Sequence, residues 1–254
     1  ILCKMCQLQF FDSERLRDHR FSCCLSSSSS RILNIGVVNM FEPVRKTLNP
    51  GSLGFILSAY AGVDAPRHRL IWALDARFGQ LVTTTTEPMI GRIRLAWWND
   101  VLTDSDHVKG RGEPLVDEIR RLNGVPLAGL TQWLDGWECL VGEMDLHGYA
   151  TGRGGGLFRA LAGQEEVPDW LIRAGAVWAL WDLSGHCSDQ RMAEDAVALG
   201  QQYLLEDPDW SVVPCPLRIA YQLARHDVER GRCAPAGLTP TRYLRLMRIG
   251  LVGR

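Results

Sequence analysis

The chain runs to 254 residues, of which 46% are hydrophobic, and carries a formal net charge of −1. This is enough apolar material for one large core, or for one domain with an appendage, and the near-neutral balance excludes a global field that would recruit nucleic acid or an anionic membrane. No apolar run reaches the roughly 18 residues of a membrane span and no signal peptide is legible at the start, so the expected setting is cytoplasmic.

The cysteines divide the chain. Cys3, Cys6, Cys23 and Cys24 cluster at the start, whereas Cys139, Cys187, Cys215 and Cys233 are scattered. A chain of this size needs no disulfide scaffold, and the uneven pattern points to a reducing compartment. Within residues 1–25, Cys3-x2-Cys6, twelve intervening residues and His19-x3-Cys23 have the spacing of a small ββα zinc finger with cysteine as its last ligand. A turn would present two thiolates, and a short helix would present His19 and Cys23 from one face, with Phe10 and Leu16 at the small-core positions. The expectation is Zn²⁺ on Cys3, Cys6, His19 and Cys23, with Cys24 able to replace Cys23; a chance cysteine cluster in a tail is the alternative. Base reading would fall to Asp12, Arg15 and Asp18. Two carboxylates there oppose phosphate, so a protein partner suits this element better than specific DNA. Five consecutive serines, Ser26 to Ser30, then open a linker over 26–49.

From residue 50 onward helical periodicity dominates and strand alternation is scarce. The pattern predicts helices over 53–61, 67–83, 88–103, 114–123, 126–150, 157–163, 169–187, 190–204, 215–230 and 239–250. Breaks at Pro66, 110–114, Pro126, 152–156, Pro168 and Pro208 separate them. Residues 50–254 therefore read as one all-α bundle. Its most informative helix begins at Pro88, a residue suited to a first turn, with Glu87 near the positive helix end. Ile90, Ile93, Ala96 and Trp97 recur at helical spacing. Successive helical residues turn by about 100°, so adjacent Trp97 and Trp98 point in different directions. Such a helix packs between others or lines a cavity.

Arg94-Leu95-Ala96-Trp97-Trp98 resembles the Arg-Leu-x-Trp-Trp run that opens a core helix in the squalene/phytoene synthase family. Trp72-Ala73-Leu74 followed by Arg77 and Phe78, the glycine-rich stretch from Tyr149 to Phe158, and the segment from Gly175 to Asp189 resemble further parts of that family, in the right order. The resemblance covers about Pro50 to Arg254 and looks closest to short, divergent bacterial members. It implies an isoprenoid-synthase-type helical bundle and a link to isoprenoid (terpenoid or carotenoid) biosynthesis. Active members are prenyl transferases that join two prenyl diphosphates head to head. Mg²⁺ ions held by two aspartate-rich motifs on facing helices ionise the diphosphate.

Laid on this chain, the first motif's aspartates fall at Gly79, Gln80 and Thr83, none a carboxylate. The second places its polar residues at Ala179, Asp182, Gly185 and His186, and its final acidic pair at Asp189 and Gln190. Asp182 and Asp189, sharing one helical face, are the catalytic candidates and would make at most a weak Mg²⁺ site. The resemblance thus implies a family fold whose Mg²⁺-dependent prenyl transfer is impaired or absent. The alternatives are an active transferase using Asp182 and Asp189, and a zinc-finger interaction or nucleic-acid-binding module with the helical part as passenger. Trp72, Arg94, Trp97, Trp98, Tyr149 and Arg153 are the substrate-binding candidates, for a prenyl diphosphate or an isoprenoid chain.

Other features keep two readings each. Asp75 is expected to pair with Arg94 across a helix interface, with a catalytic role as the alternative. Asp182, His186 and Asp189 on one stripe, with Cys187 nearby, suit a structural hydrogen-bond network or a transition-metal site. The glycines at 152–156 with Arg153 suit a helix break for close packing or a phosphate cradle. Trp72, Trp97, Trp98, Trp133, Trp137, Trp178 and Trp181 fill a core or line an isoprenoid tunnel. Arg242, Arg245 and Arg248 among leucines make an amphipathic surface helix or a peripheral membrane contact.

Overall fold

The computed structural model describes residues 51–122, 128–206, 208–235 and 237–252. The finger-like segment, with Cys3, Cys6, His19 and Cys23, and the linker over 26–49 lie outside those residues. Among the described residues all regular structure is helical and none is strand, as the periodicity predicts. The helices are α1 (Leu53–Ser58), α2 (Ala65–Thr84), α3 (Pro88–Leu102), α4 (Pro114–Arg121), α5 (Leu130–Glu138), α6 (Leu146–Tyr149), α7 (Gly155–Ala162), α8 (Asp169–Ser184), α9 (Gln190–Gln202), α10 (Cys215–Val228) and α11 (Pro240–Val252). A π-helical turn, Ala150–Gly154, joins α6 to α7. No helix among the described residues is long and apolar enough to cross a membrane.

Helix α8 occupies the middle because it is apolar nearly all round. Leu171, Ala174 to Trp181 and Leu183 are all buried, so every face needs a neighbour. The π turn, α7, α9 and α10 supply those neighbours. Six of the seven candidate tryptophans fill the core: Trp72, Trp98, Trp133, Trp137, Trp178 and Trp181 are buried, and Trp97 is 43% exposed. Edge contacts link them, with Trp72 and Trp178 centroids 5.4 Å apart and Phe78 wedged 5.6 Å from Trp98 and 5.2 Å from Trp133.

Two predicted boundaries differ. The single helix expected over 126–150 is interrupted after α5. Gly142 takes a φ of 102°, and the Asp145 N–H bonds back to the Cys139 carbonyl at 3.0 Å. The Asp145 carboxylate then caps α6, accepting from the His147 and Gly148 N–H groups. Conversely, the glycine run at 152–156 does not break the helix. It remains helical as a π turn because its glycines let backbones touch. A Cβ on Gly152 would lie 2.6 Å from the Gly136 Cα in α5, and one on Gly154 would lie 2.2 Å from the Gly175 carbonyl oxygen in α8. The turn is clamped backbone to backbone between those two helices.

His68 on α2 is fully buried beside Arg67, whose guanidinium donates to the Ala160 and Leu161 carbonyls at the end of α7. Burial, and then the Arg67 charge, push the His68 pKa down from 6.5 to about 4. The unfolded chain therefore takes up a proton that the folded chain refuses. Stability is expected to fall as pH drops from about 6.5 toward 4, by roughly 3 kcal/mol in total. Denaturant midpoints at pH 7.5 and 4.5 check this; His68→Gln should flatten the difference.

Candidate functional site

A buried polar network crosses the apolar core. Asp75 on α2 is 4% exposed, surrounded by Trp72, Leu74 and Phe78 on its own helix. A carboxylate so placed needs partners. Arg153, in the π turn, reaches it from the opposite side: Nη2 donates to Asp75 Oδ2 at 2.7 Å and Nε to Oδ1 at 3.2 Å. Trp133 and Trp137 on α5 both donate their indole N–H groups to Oδ1, at 2.9 and 3.0 Å. The same Arg153 Nη2 donates to Asp182 Oδ2 on α8 at 2.8 Å, and Nη1 donates to the Tyr149 hydroxyl. The guanidinium carbon stacks 4.4 Å from the Trp137 ring centroid. One guanidinium thus ties α2, α5, α6 and α8 together, and the glycine clamp fixes where its backbone sits.

The charges reinforce one another. Burial works against ionised Arg153, but Asp75, Tyr149 and Asp182 outweigh it and raise its pKa well above the ordinary arginine value. Burial opposes ionised Asp182 too, yet Arg153, His186 and Arg242 together hold its carboxyl below the usual carboxylate range. Burial pushes the Tyr149 phenol up, Arg153 only partly offsetting it. Asp182, at 26% side-chain exposure, is the solvent-facing end of the network. A second polar node lies beyond it. Asp227 on α10 accepts from the Trp181 indole and from Arg245 on α11, each at 3.2 Å, while the Arg242 guanidinium carbon lies 4.3 Å from the Trp181 ring centroid. Two of the three basic residues of the C-terminal run therefore point inward, and Arg248 stays exposed.

The sequence candidates separate accordingly. Tyr149, Arg153 and Asp182 come together, but with one another and with Asp75 rather than around an open space. The expected Asp75–Arg94 pair does not form: Arg153 takes Asp75, and Arg94 donates to the Thr85 hydroxyl at 3.0 Å. Asp189 is not on the helix of Asp182. Helix α8 stops at Ser184 with Gly185 as its C-cap, where Ala234 packs so closely that a Cβ would lie 2.7 Å from the Ala234 Cβ. Asp189 instead caps α9, accepting from the Arg191 N–H at 2.9 Å and the Met192 N–H at 3.3 Å. Asp189 therefore leaves the expected stripe, whereas His186 stays against Asp182, its Nδ1 2.7 Å from the Asp182 carbonyl oxygen and 3.8 Å from the carboxylate. Among the described residues no group of three or more His, Cys, Asp or Glu side chains converges as a metal site. The residues do not fit Mg²⁺, which needs an octahedron of oxygen ligands: Asp75 and Asp182 already hold a guanidinium, and Gly79, Gln80 and Thr83 bring no carboxylate.

Sequence reasoning missed a second feature. A pocket of about 300 Å³ lies in the groove between α2 and α3. Arg77, Gln80 and Thr84 line it from α2, and Arg94 and Trp97 from α3. Leu81 and Trp98 complete the lining. Arg77, Gln80 and Thr84 at helical spacing, near the Arg94 and Trp97 already singled out, were the available signal. Trp72 and Trp98 belong to the core, so of the substrate-binding candidates Arg94 and Trp97 offer substantial surface to a ligand. Comparison of the chain with protein-family models, with curated proteins and with solved structures finds no match.

Proposed function

We propose that this chain is a squalene/phytoene synthase-like helical protein of isoprenoid metabolism that has lost metal-dependent prenyl transfer and serves by binding an isoprenoid-type chain or a protein partner. The observation that carries this reading is the position of Arg153, 2.7 Å from Asp75 and 2.8 Å from Asp182. A synthase would need free carboxylates on these facing helices to hold Mg²⁺ against a diphosphate. Here a fixed positive side chain occupies both. A guanidinium held that way cannot be exchanged for a metal without leaving a buried charge unpaired.

The test is direct. Purified protein incubated with labelled farnesyl or geranylgeranyl diphosphate and Mg²⁺ is expected to give neither head-to-head product nor diphosphate release above a no-enzyme control. Robust turnover that disappears in Asp182→Asn would overturn the proposal.

A further inference from the structure

Helix α3 buries Gly91, Leu95, Trp98 and Val101 against the bundle, so its outer face ought to be polar. Instead Met89, Ile90, Ile93 and Trp97 are 65, 38, 56 and 43% exposed. Met89, Ile93 and Trp97 follow each other at four-residue steps of about 6 Å. They make an apolar ridge along the whole outer side of the helix.

The two flanks of the ridge differ in charge. On the α2 side Arg77 and Arg94 line the groove and no carboxylate lines it, although Glu113 approaches Arg77 at 3.9 Å. On the other side the segment after α5 lies against the helix. A Cβ on Gly91 would stand 3.0 Å from a Val141 methyl, and Arg92 pairs with Glu138 at 3.2 Å. Glu138 thereby offsets Arg92, and exposed Glu143 leaves this flank acidic. Asp100, near the C-terminal end of the strip, is offset by Lys109 at 3.7 Å. An apolar ridge with a basic flank and an acidic flank is complementary to itself in one orientation. When a second copy lays its α3 alongside in parallel, the two-fold axis runs along the helices. Each basic flank then meets the other copy's acidic flank, as at the e and g positions of a parallel coiled coil. Antiparallel helices would set basic flank on basic flank and gather both copies' Arg77 and Arg94 together, a like-charge arrangement that costs affinity.

We infer that α3 is the interface of a homodimer of this chain, formed by parallel pairing of two α3 ridges. Met89, Ile93 and Trp97 each meet their own counterpart across the two-fold axis, and Glu143 of each copy approaches Arg94 of the other. The second copy thus brings to the groove between α2 and α3 the carboxylate that the groove's own lining lacks. A 15-residue helix is about 22 Å long. That is a narrow contact by the standard of stable dimers, so the expected affinity is micromolar rather than nanomolar. The inference stands on the surface of α3 and does not depend on loss of prenyl transfer in the core.

Sedimentation velocity of the full chain from about 1 to about 200 μM, a range that brackets the affinity of a small interface, tests it. A reversible monomer–dimer equilibrium is expected. Ile93→Glu sets two carboxylates against each other at the axis and should weaken dimerisation about a hundredfold, while leaving the thermal unfolding midpoint in place. Arg94→Glu and Glu143→Arg should each weaken it about tenfold, and the double variant Arg94→Glu/Glu143→Arg should restore it. Cross-linking under mild oxidation, with the wild-type chain as control, reads the orientation. Met89→Cys is expected to link to itself, whereas antiparallel helices would link Met89→Cys only to Trp97→Cys. A monomer at every concentration overturns the inference, including one that instead sediments with phosphatidylglycerol vesicles through Ile93. So does a dimer that Ile93→Glu leaves intact, a charge swap that restores nothing, or a Met89→Cys protein that links only to Trp97→Cys.

Discussion

Replacing Arg153 by methionine is expected to destabilise the helical domain by about 3–5 kcal/mol, the cost of removing one partner from a buried ion pair. Asp75 would then keep only the Trp133 and Trp137 indole donors, and its charge would stay inside the core uncompensated. Whole domains are stable by only about 5–15 kcal/mol, so the variant should sit near its unfolding transition at room temperature. The cause is electrostatic, not steric, because methionine fills similar space. The triple variant Asp75→Asn, Asp182→Asn, Arg153→Met should therefore recover most of the loss. Asparagine at 75 retains an oxygen for both tryptophan N–H groups while removing the charge. Urea titration of the three proteins checks the order. An Arg153→Met protein as stable as wild type would show that the network contributes nothing to holding α2, α5, α6 and α8 together.

Gly154→Ala should be comparably damaging for the opposite reason. Alanine is a better helix former than glycine by about 1 kcal/mol, so propensity alone predicts a gain. The new Cβ would instead lie 2.2 Å from the Gly175 carbonyl oxygen. Both sides of that contact are backbone, so a rotamer change offers no relief, and α8 would have to move away from the π turn. Overpacking usually costs about 1–3 kcal/mol and more where nothing can yield, so a loss of about 3 kcal/mol or more is expected. Moving the turn also moves Arg153 away from Asp182. The control is Gly200→Ala on α9. There the nearest atom is a Val228 side-chain methyl at 3.3 Å, and stability should stay within about 1 kcal/mol of wild type. Thermal unfolding of the two alanine variants side by side decides the point.

Helix α3 shows both the reach and the limit of periodicity. The spacing of its apolar residues marks a helix, Pro88 marks its start, and the adjacency of Trp97 and Trp98 sends the two rings in different directions. Trp98 is the ring that stays in, meeting Phe78 of α2 edge-on at 5.6 Å, while Trp97 remains partly exposed beside the pocket. The same limit applies to the glycines at 152–156. Their density predicts close packing, but the partners of that packing, Gly136 and Gly175 on other helices, are set by the tertiary structure.

The sequence by itself determined the all-helical class of the described residues, many helix starts through proline chemistry, and the lack of a carboxylate at positions 79, 80 and 83. These properties depend on residue type and on neighbours a few positions away. The tertiary structure alone decided that Asp75 belongs to Arg153 and not to Arg94, that Asp189 is a helix cap, and that Arg77 joins Arg94 across a groove. Ion pairing depends on distance in space, and α2 meets the π turn 78 positions further along the chain, a separation over which local pattern carries no information.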